Sequence, residues 1–315
     1  MNPTTKIVAL LAILSCLPAL ARSPTGHPPK GRDTPSLAQI LAESKPAEWR
    51  RPDPESLLVM RLPAGPVVME LDPIYAPLHT ANIRTLVREG YFDGLAIVRV
   101  QDDFVAQWDD PAGDDGGDKN KIRSLGKAKA TLPPEFTRPI AGSLPWVRLP
   151  DGDVYAPEVG FSADFPAARD PAGKDTWLVH CYGTLAVARD IPANSGNGSA
   201  LYVAIGQPPR RLDRNLTVVG RVVAGMDELS ALPRGHGPLG FYAHPKERTP
   251  ILDIRVAADL PPAQRPNIEI LRTDSRTFQT LLEATRNRRD AFYVTPPGRV
   301  DVCAVPLPVR DLTKP

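Results

Sequence analysis

Arg99 stands inside a strand-like run, with Phe104 five residues later and Gln107 eight later. An arginine is a permanent cation with rigidly placed donors. Such a group can stabilise an acceptor that exists only in a transition state, without a nucleophile, a proton transfer or a cofactor. The more familiar chemistries have no motif here. G-x-S-x-G, the P-loop, H-E-x-x-H and C-x-x-C are all absent. His27, His79, His180, His236 and His244 are scattered without metal-ligand spacing, so neither a metal nor a cofactor is expected. His180 beside Cys181 does not make a nucleophile pair, because neighbours on a strand point to opposite faces. Taken alone, Arg99 would read as an ordinary strand arginine, and Phe104 as a core residue.

The elements that must position these residues are short. The chain has 315 residues, 42% hydrophobic and 23% charged, with 37 prolines, which disfavours a helical bundle. Its net charge of +2 gives no strong pull toward nucleic acid or an anionic membrane. Strands are expected at 57–62 and 67–71, joined by Pro63-Ala64-Gly65, and a helix over 78–88 stops at Glu89-Gly90. A strand over 95–100 follows. From 109 to about 180 the chain is broken by proline and glycine into short strand candidates and turns. Asp109, Asp110, Asp114, Asp115 and Asp118 lack the glutamate that closes a calcium loop and read as a solvated loop. Strands return between 184 and 223, then a short helix over 226–232 and a strand over 251–257. In the tail, Phe278, Leu281, Leu282 and Thr285 form an amphipathic helical face behind Asp274 and Ser275. A hairpin is expected from 291–295 and 300–305 around Pro296-Pro297-Gly298. Many short strands with few helices indicate a barrel or a sandwich.

The first residues read as an export leader. Lys6 precedes an apolar stretch from Ile7 to Leu20, and Ala19-Leu20-Ala21 supplies the small-x-small pattern, with cleavage after Ala21. Ile13-Leu14-Ser15-Cys16 offers a lipoprotein alternative, which is disfavoured because the chain stays apolar beyond Cys16. A periplasmic or secreted location follows, and no later apolar run is long enough to span a membrane. Residues 22–55, rich in Pro, Arg and Ser, read as a loosely ordered arm with one short helix at 36–44. Past the leader only Cys181 and Cys303 remain. They either form a disulfide worth roughly 3–5 kcal/mol or stay as two buried thiols, and the sequence leaves both open.

The run from Tyr91-Phe92-Asp93-Gly94 through Arg99 and Phe104 to Gln107 resembles the signature of cyclophilins, the peptidyl-prolyl cis–trans isomerases. Upstream, Val68-Met69-Glu70-Leu71, Ala76-Pro77 and Asn82 are similar to that family's first strand and helix. Downstream, Gly183 to Arg189, Gly198-Ser199-Ala200-Leu201-Tyr202-Val203, Leu212-Asp213 and Val219 to Asp227 follow in the family's order. The resemblance implies a mainly β fold: an eight-stranded closed antiparallel barrel capped by two helices, over 56–258. The segment 109–180 is then an insert, and 259–315 a small α+β extension. It implies isomerisation of X–Pro bonds in unfolded or flexible exported polypeptides by a monomer. Arg99, Phe104 and Gln107 would be the catalytic set. Phe104, Val105, Tyr202 and Leu212 would cup the proline ring, and the backbone of Ala188 would hold the residue beside it. The rim departs from the family: Val98 replaces a histidine, Trp108-Asp109-Asp110 a Gly-Gly-Asp, Ala200 a glutamine, Arg211 an aromatic and Leu216 a histidine. These changes favour, as the alternative, a cyclophilin-like module that binds proteins or peptides without useful catalysis.

Overall fold

A hairpin begins the large sheet. Leu57–Arg61 pairs antiparallel with Pro66–Leu71, and the Leu62 amide donates to the Gly65 carbonyl to close the turn. Leu58, Met60, Val67 and Met69 point into one buried cluster. The computed structural model describes residues 33–113, 117–293 and 295–313, so the leader expected at 1–21, Cys16 and His27 lie outside them. Helix α1 spans Leu37–Ala42, and Pro77 sits at the first position of helix α2, Pro77–Arg88, where its missing N–H costs no helix bond. Ile83, Leu86 and Val87 of α2 pack on the same cluster. Met226–Ser230 forms α3 and Arg276–Arg286 forms α4, capped by the Ser275 hydroxyl accepting from the Phe278 amide.

Among the described residues the large sheet has nine antiparallel strands. In order they are Thr249–Pro250, Ala96–Gln101, Val105–Asp109, Leu201–Ala204, Thr184–Val187, Val218–Ala224, Pro66–Leu71, Leu57–Arg61 and Asp253–Val256. The eight-stranded closed barrel expected from the resemblance is therefore not what the ladder gives. The difference lies in the strand expected at 251–257. Thr249–Pro250 pairs with Ala96–Gln101, while Asp253–Val256 pairs with Leu57–Arg61. At the changeover the Ile251 amide donates to the Leu95 carbonyl and the Leu252 amide to that of Arg61. One stretch of chain thus supplies both ends of the sheet.

The strands Thr184–Val187 and Leu201–Ala204 are buried at every position, because both faces of the sheet are covered. Leu185, Val187, Leu201 and Val203 face inward. On the outer face, Val105, Ala186, Tyr202 and Val218 meet Phe165, Ala167 and Leu178 of a second sheet. That sheet is the insert: Arg138–Pro139, Asp175–Leu178, Phe165–Asp170, Glu158–Ser162 and Val147–Leu149, in that order. A third, three-stranded sheet sets Ile268–Leu271 between Trp49–Arg50 and Val309–Asp311, and it covers Leu57, Val68 and Val223. Behind both smaller sheets, α1 and α4 close a further core around Trp49, Phe161, Trp177, Phe278 and Leu281.

Two expectations are corrected here. Residues 34–50 are not a loose arm: Ser36 and Gln39 form a reciprocal cap on α1, Ile40 and Trp49 are buried, and Trp49–Arg50 is a strand. The hairpin expected at 291–305 is absent among the described residues, because the amides it needs are engaged elsewhere. The Asp290 carboxylate accepts from Phe292 and Tyr293, Asp151 from Val300, and Asp301 from Cys303 at the head of a short helical turn, Val302–Ala304. Cys303 is joined to Cys181 in a disulfide, with Cα atoms 5.0 Å apart and a sequence separation of 122. The bond ties the tail to the end of the insert.

Removing that bond by Cys303→Ser is expected to lower unfolding free energy by about 2–5 kcal/mol. Denaturant titration reads this directly, and an unchanged midpoint would refute it. Asp72 gives a second test. It is buried at the end of Pro66–Leu71, with Oδ1 accepting from the Ile74 and Tyr75 amides. Burial pushes its carboxyl up to about 7, against the pull of those two amides, with Glu70 adding to the rise and Arg138 opposing it. Above the ordinary carboxylate range the folded chain keeps a proton that the unfolded chain has lost. Stability should therefore fall as pH rises toward about 7 and level off beyond it. The slope over that window should be shallower in Asp72→Asn, and equal slopes would rule the effect out.

Candidate active site

Arg99 reaches its place through a bulge. Ile97 pairs with Trp108 and Arg99 with Gln107, so Val98 is an extra residue in its strand. A bulge bends the strand and re-aims the side chain beside it. Ile97, Val98 and Val100 are buried, while Arg99 faces the outer side. Gln107 is in turn the partner of Tyr202, and Tyr202 of Ala186. Arg99, Gln107 and Tyr202 thus form one cross-strand row on the outer face, at the margin of the insert.

The guanidinium is held on all sides by neutral groups. Its Nε donates to the Leu239 carbonyl at 2.7 Å, one terminal nitrogen to Gln107 Oε1 at 3.2 Å, and the other to Gln101 Oε1. It also lies 5.4 Å from the ring centres of both Phe104 and Phe241. Burial pulls its pKa down from the usual value, yet arginine remains a cation at neutral pH. Other arginines of the fold are neutralised: Arg50 by Glu70 and Asp164, Arg210 by Asp153 and Asp213, Arg286 by Asp151.

Phe104 is placed by a tight turn. Asp103 takes a positive φ of 51°, and the Ile205 amide donates to the Phe104 carbonyl at 2.8 Å. Gly206 makes this approach possible, since a Cβ there would lie 2.1 Å from the Asp103 carbonyl carbon. Leu212 comes from a helical turn, Arg210–Leu212, whose neighbour Asp213 is anchored below. All seven residues singled out in the sequence, Arg99, Phe104, Val105, Gln107, Ala188, Tyr202 and Leu212, line one cavity of about 740 Å³.

Leu239, Phe241 and His180 had no site signal in the sequence, whereas Leu216 and Arg211 stood out only as departures from the family pattern. Leu239 and Phe241 come from the segment 238–241, which forms an isolated bridge between Phe241 and Arg99. Leu216 lines the cavity. His180, assigned neither metal-ligand spacing nor a nucleophile role from the sequence, is fully buried and bonds the Tyr202 hydroxyl at 2.9 Å. Arg211, at the rim, lies 5.3 Å from the Phe104 ring centre. No spacing rule could link Leu239, Phe241 and His180 to the site, because each meets it only through tertiary packing. Burial raises the Tyr202 pKa, with Asp213 adding to the rise and Arg99 opposing it, so the hydroxyl stays protonated.

The site is thus an outward arginine beside a cavity lined by Phe104, Tyr202 and Leu212 as well as by Gln107 and Asp109. A family model described as cyclophilin-type peptidyl-prolyl cis-trans isomerase matches residues 57–256, and the chain belongs to that family. By class it is a peptidyl-prolyl cis–trans isomerase. A probable peptidyl-prolyl cis-trans isomerase of Brucella suis is 31% identical over 186 residues, 58% of this chain and 74% of that protein. A putative thylakoid lumen peptidyl-prolyl cis-trans isomerase of Synechocystis is 27% identical over 54% of this chain and 42% of its own length. The crystal structure of the cyclophilin AquaCyp293 from Hirschia baltica covers 87% of this chain and 97% of itself, with a TM-score of 0.65 at 26% identity. The similarity to this structure thus reaches beyond the residues that the family model spans.

Gly206→Ala tests the turn. The added methyl must displace the Asp103 backbone, and overpacking of this kind costs about 1–3 kcal/mol. We expect a lower unfolding midpoint together with slower X–Pro exchange. A variant equal to wild type in both would remove Gly206 from the account of the site.

Proposed function

We propose that the protein accelerates X–Pro rotation in exported polypeptides, with Arg99 donating to the amide nitrogen as the bond twists. In the planar ground state the nitrogen lone pair is delocalised. In the twisted state it becomes a hydrogen-bond acceptor, so a fixed cationic donor binds that state preferentially. Phe104, Val105, Tyr202 and Leu212 would receive the proline ring, Gln107 would orient the guanidinium, and the Ala188 backbone would hold the preceding residue. The observation that carries this reading is that, among the described residues, Arg99 bonds neutral oxygens beside the cavity that Phe104, Val105, Tyr202 and Leu212 line, which leaves its charge for a substrate.

Export is proposed on the leader at 1–21. The Synechocystis relative, whose name places it in a lumen, is consistent with it. In the same reading, the clients are proline-containing unfolded or flexible chains, and the active species is a monomer. The second reading, a binding module, draws on Arg211. Its guanidinium sits over Phe104 where the family pattern has an aromatic, and this changes the grip on a peptide.

NMR exchange measurements on short X-Pro peptides separate the two. The wild-type protein should speed cis–trans exchange, and Arg99→Ala should lose about a hundredfold or more of that rate while remaining folded. Peptide binding without exchange by either protein would favour the binding module.

A further inference from the structure

Tyr202 carries a polar tip into a buried place. Its ring lines the cavity, and its hydroxyl points away from it, into the layer between the large sheet and the insert. A buried hydroxyl without a partner is costly. The partner is His180, just beyond the insert strand Asp175–Leu178, with Nε2 at 2.9 Å and its ring nearly parallel to that of Tyr202. His180 Nδ1 lies 2.9 Å from Asp213 Oδ1, and the same oxygen accepts from the His180 backbone amide at 2.9 Å.

Asp213 also accepts from Arg210 Nε at 2.6 Å, and Arg210 forks onto both oxygens of Asp153 at 2.9 and 2.8 Å. His180, Arg210 and Asp213 are each buried, and the Asp153 side chain is nearly so. Burial works against charge on Asp213, but the His180 bond and the Arg210 cation hold its carboxyl below the ordinary range. A carboxylate only accepts, so Nδ1 carries the imidazole proton, and in the neutral ring Nε2 is left to accept from Tyr202. Leu212 sits next to Asp213 in the chain. The network therefore grips both the Tyr202 and the Leu212 sides of the cavity from behind.

We propose that His180 is a positioning residue of the proline cup, oriented by Asp213 and holding Tyr202 through its hydroxyl. Two of the five groups in this relay, Asp153 and His180, belong to the insert, which makes the insert part of the substrate site. The inference rests on the reading that the cavity of Arg99 receives proline.

The test is a double-mutant cycle on KM and kcat for a short X-Pro peptide. His180→Leu strands the Tyr202 hydroxyl and should raise KM about tenfold. The value of kcat should change much less, because Arg99 is untouched. In a Tyr202→Phe background there is no hydroxyl to strand, and the same His180→Leu change should alter KM by less than about twofold. An equal factor in both backgrounds, or a fall in kcat with KM unchanged, would overturn the proposal. Should His180→Leu fail to fold, His180→Gln replaces it in the same cycle, with a smaller rise in KM that must again vanish in the Tyr202→Phe background. A wild-type protein that binds the peptide but does not isomerise it would refute the isomerase reading alone. The cycle is then read in peptide Kd by chemical-shift titration, with the same coupling expected. A wild type that binds no peptide would refute both.

Discussion

Burying a polar atom in a sheet covered on both faces is costly unless a partner is supplied. Tyr202 meets that demand through His180. The insert covers Val105, Ala186, Tyr202 and Val218, and the tail sheet covers Leu57, Val68 and Val223. Where the cover ends, Phe104, Ala188 and Leu216 are only partly buried, and there the cavity opens. The site is thus the margin of a packed layer. It needs no depression dug into the large sheet itself.

Charge follows the same division. Away from the margin, Arg50 lies between Glu70 and Asp164, and Arg210 between Asp153 and Asp213. An ion pair of that kind holds elements together and leaves no charge for anything else. Arg99 is instead fixed by a carbonyl, two side-chain amides and two aromatic rings. Its direction is set without its charge being cancelled. Rigidity and availability are usually in conflict for a long side chain, and neutral acceptors reconcile them.

Much of the site was legible because it is local. Arg99, Phe104 and Gln107 lie within one hairpin, and their spacing survives as a sequence pattern. Val105, Ala188, Tyr202 and Leu212 were placed only through the order of the family's motifs, and the fold brings all of them to the same cavity. What escaped the sequence is non-local. The insert's five strands are as short as two residues at Arg138–Pro139 and owe their pairing to partners up to some forty residues apart. Trp49–Arg50 finds its partner only at Ile270 and Leu271, so it reads from the sequence as part of an arm over 22–55. At 291–305 the residue types suited a hairpin, but Asp290, Asp151 and Asp301 claim the amides it required. The count of strands erred because the segment 249–256 changes partners midway.

The three-stranded sheet has its own consequence for how the chain acquires its shape. It joins Trp49–Arg50, near the beginning of the described residues, to Val309–Asp311, near their end, through Ile268–Leu271. During synthesis from the amino terminus, Trp49 has no strand to pair with until Leu271 has emerged, and that strand stays open on its other edge until Val309 follows. The large sheet, within 57–256, can be completed before either event. Long-range pairings of this kind form slowly. The nascent molecule therefore passes through a stage in which the isomerase scaffold stands while its outermost layer waits for Val309–Asp311, so that strand acts as a latch on the order of assembly.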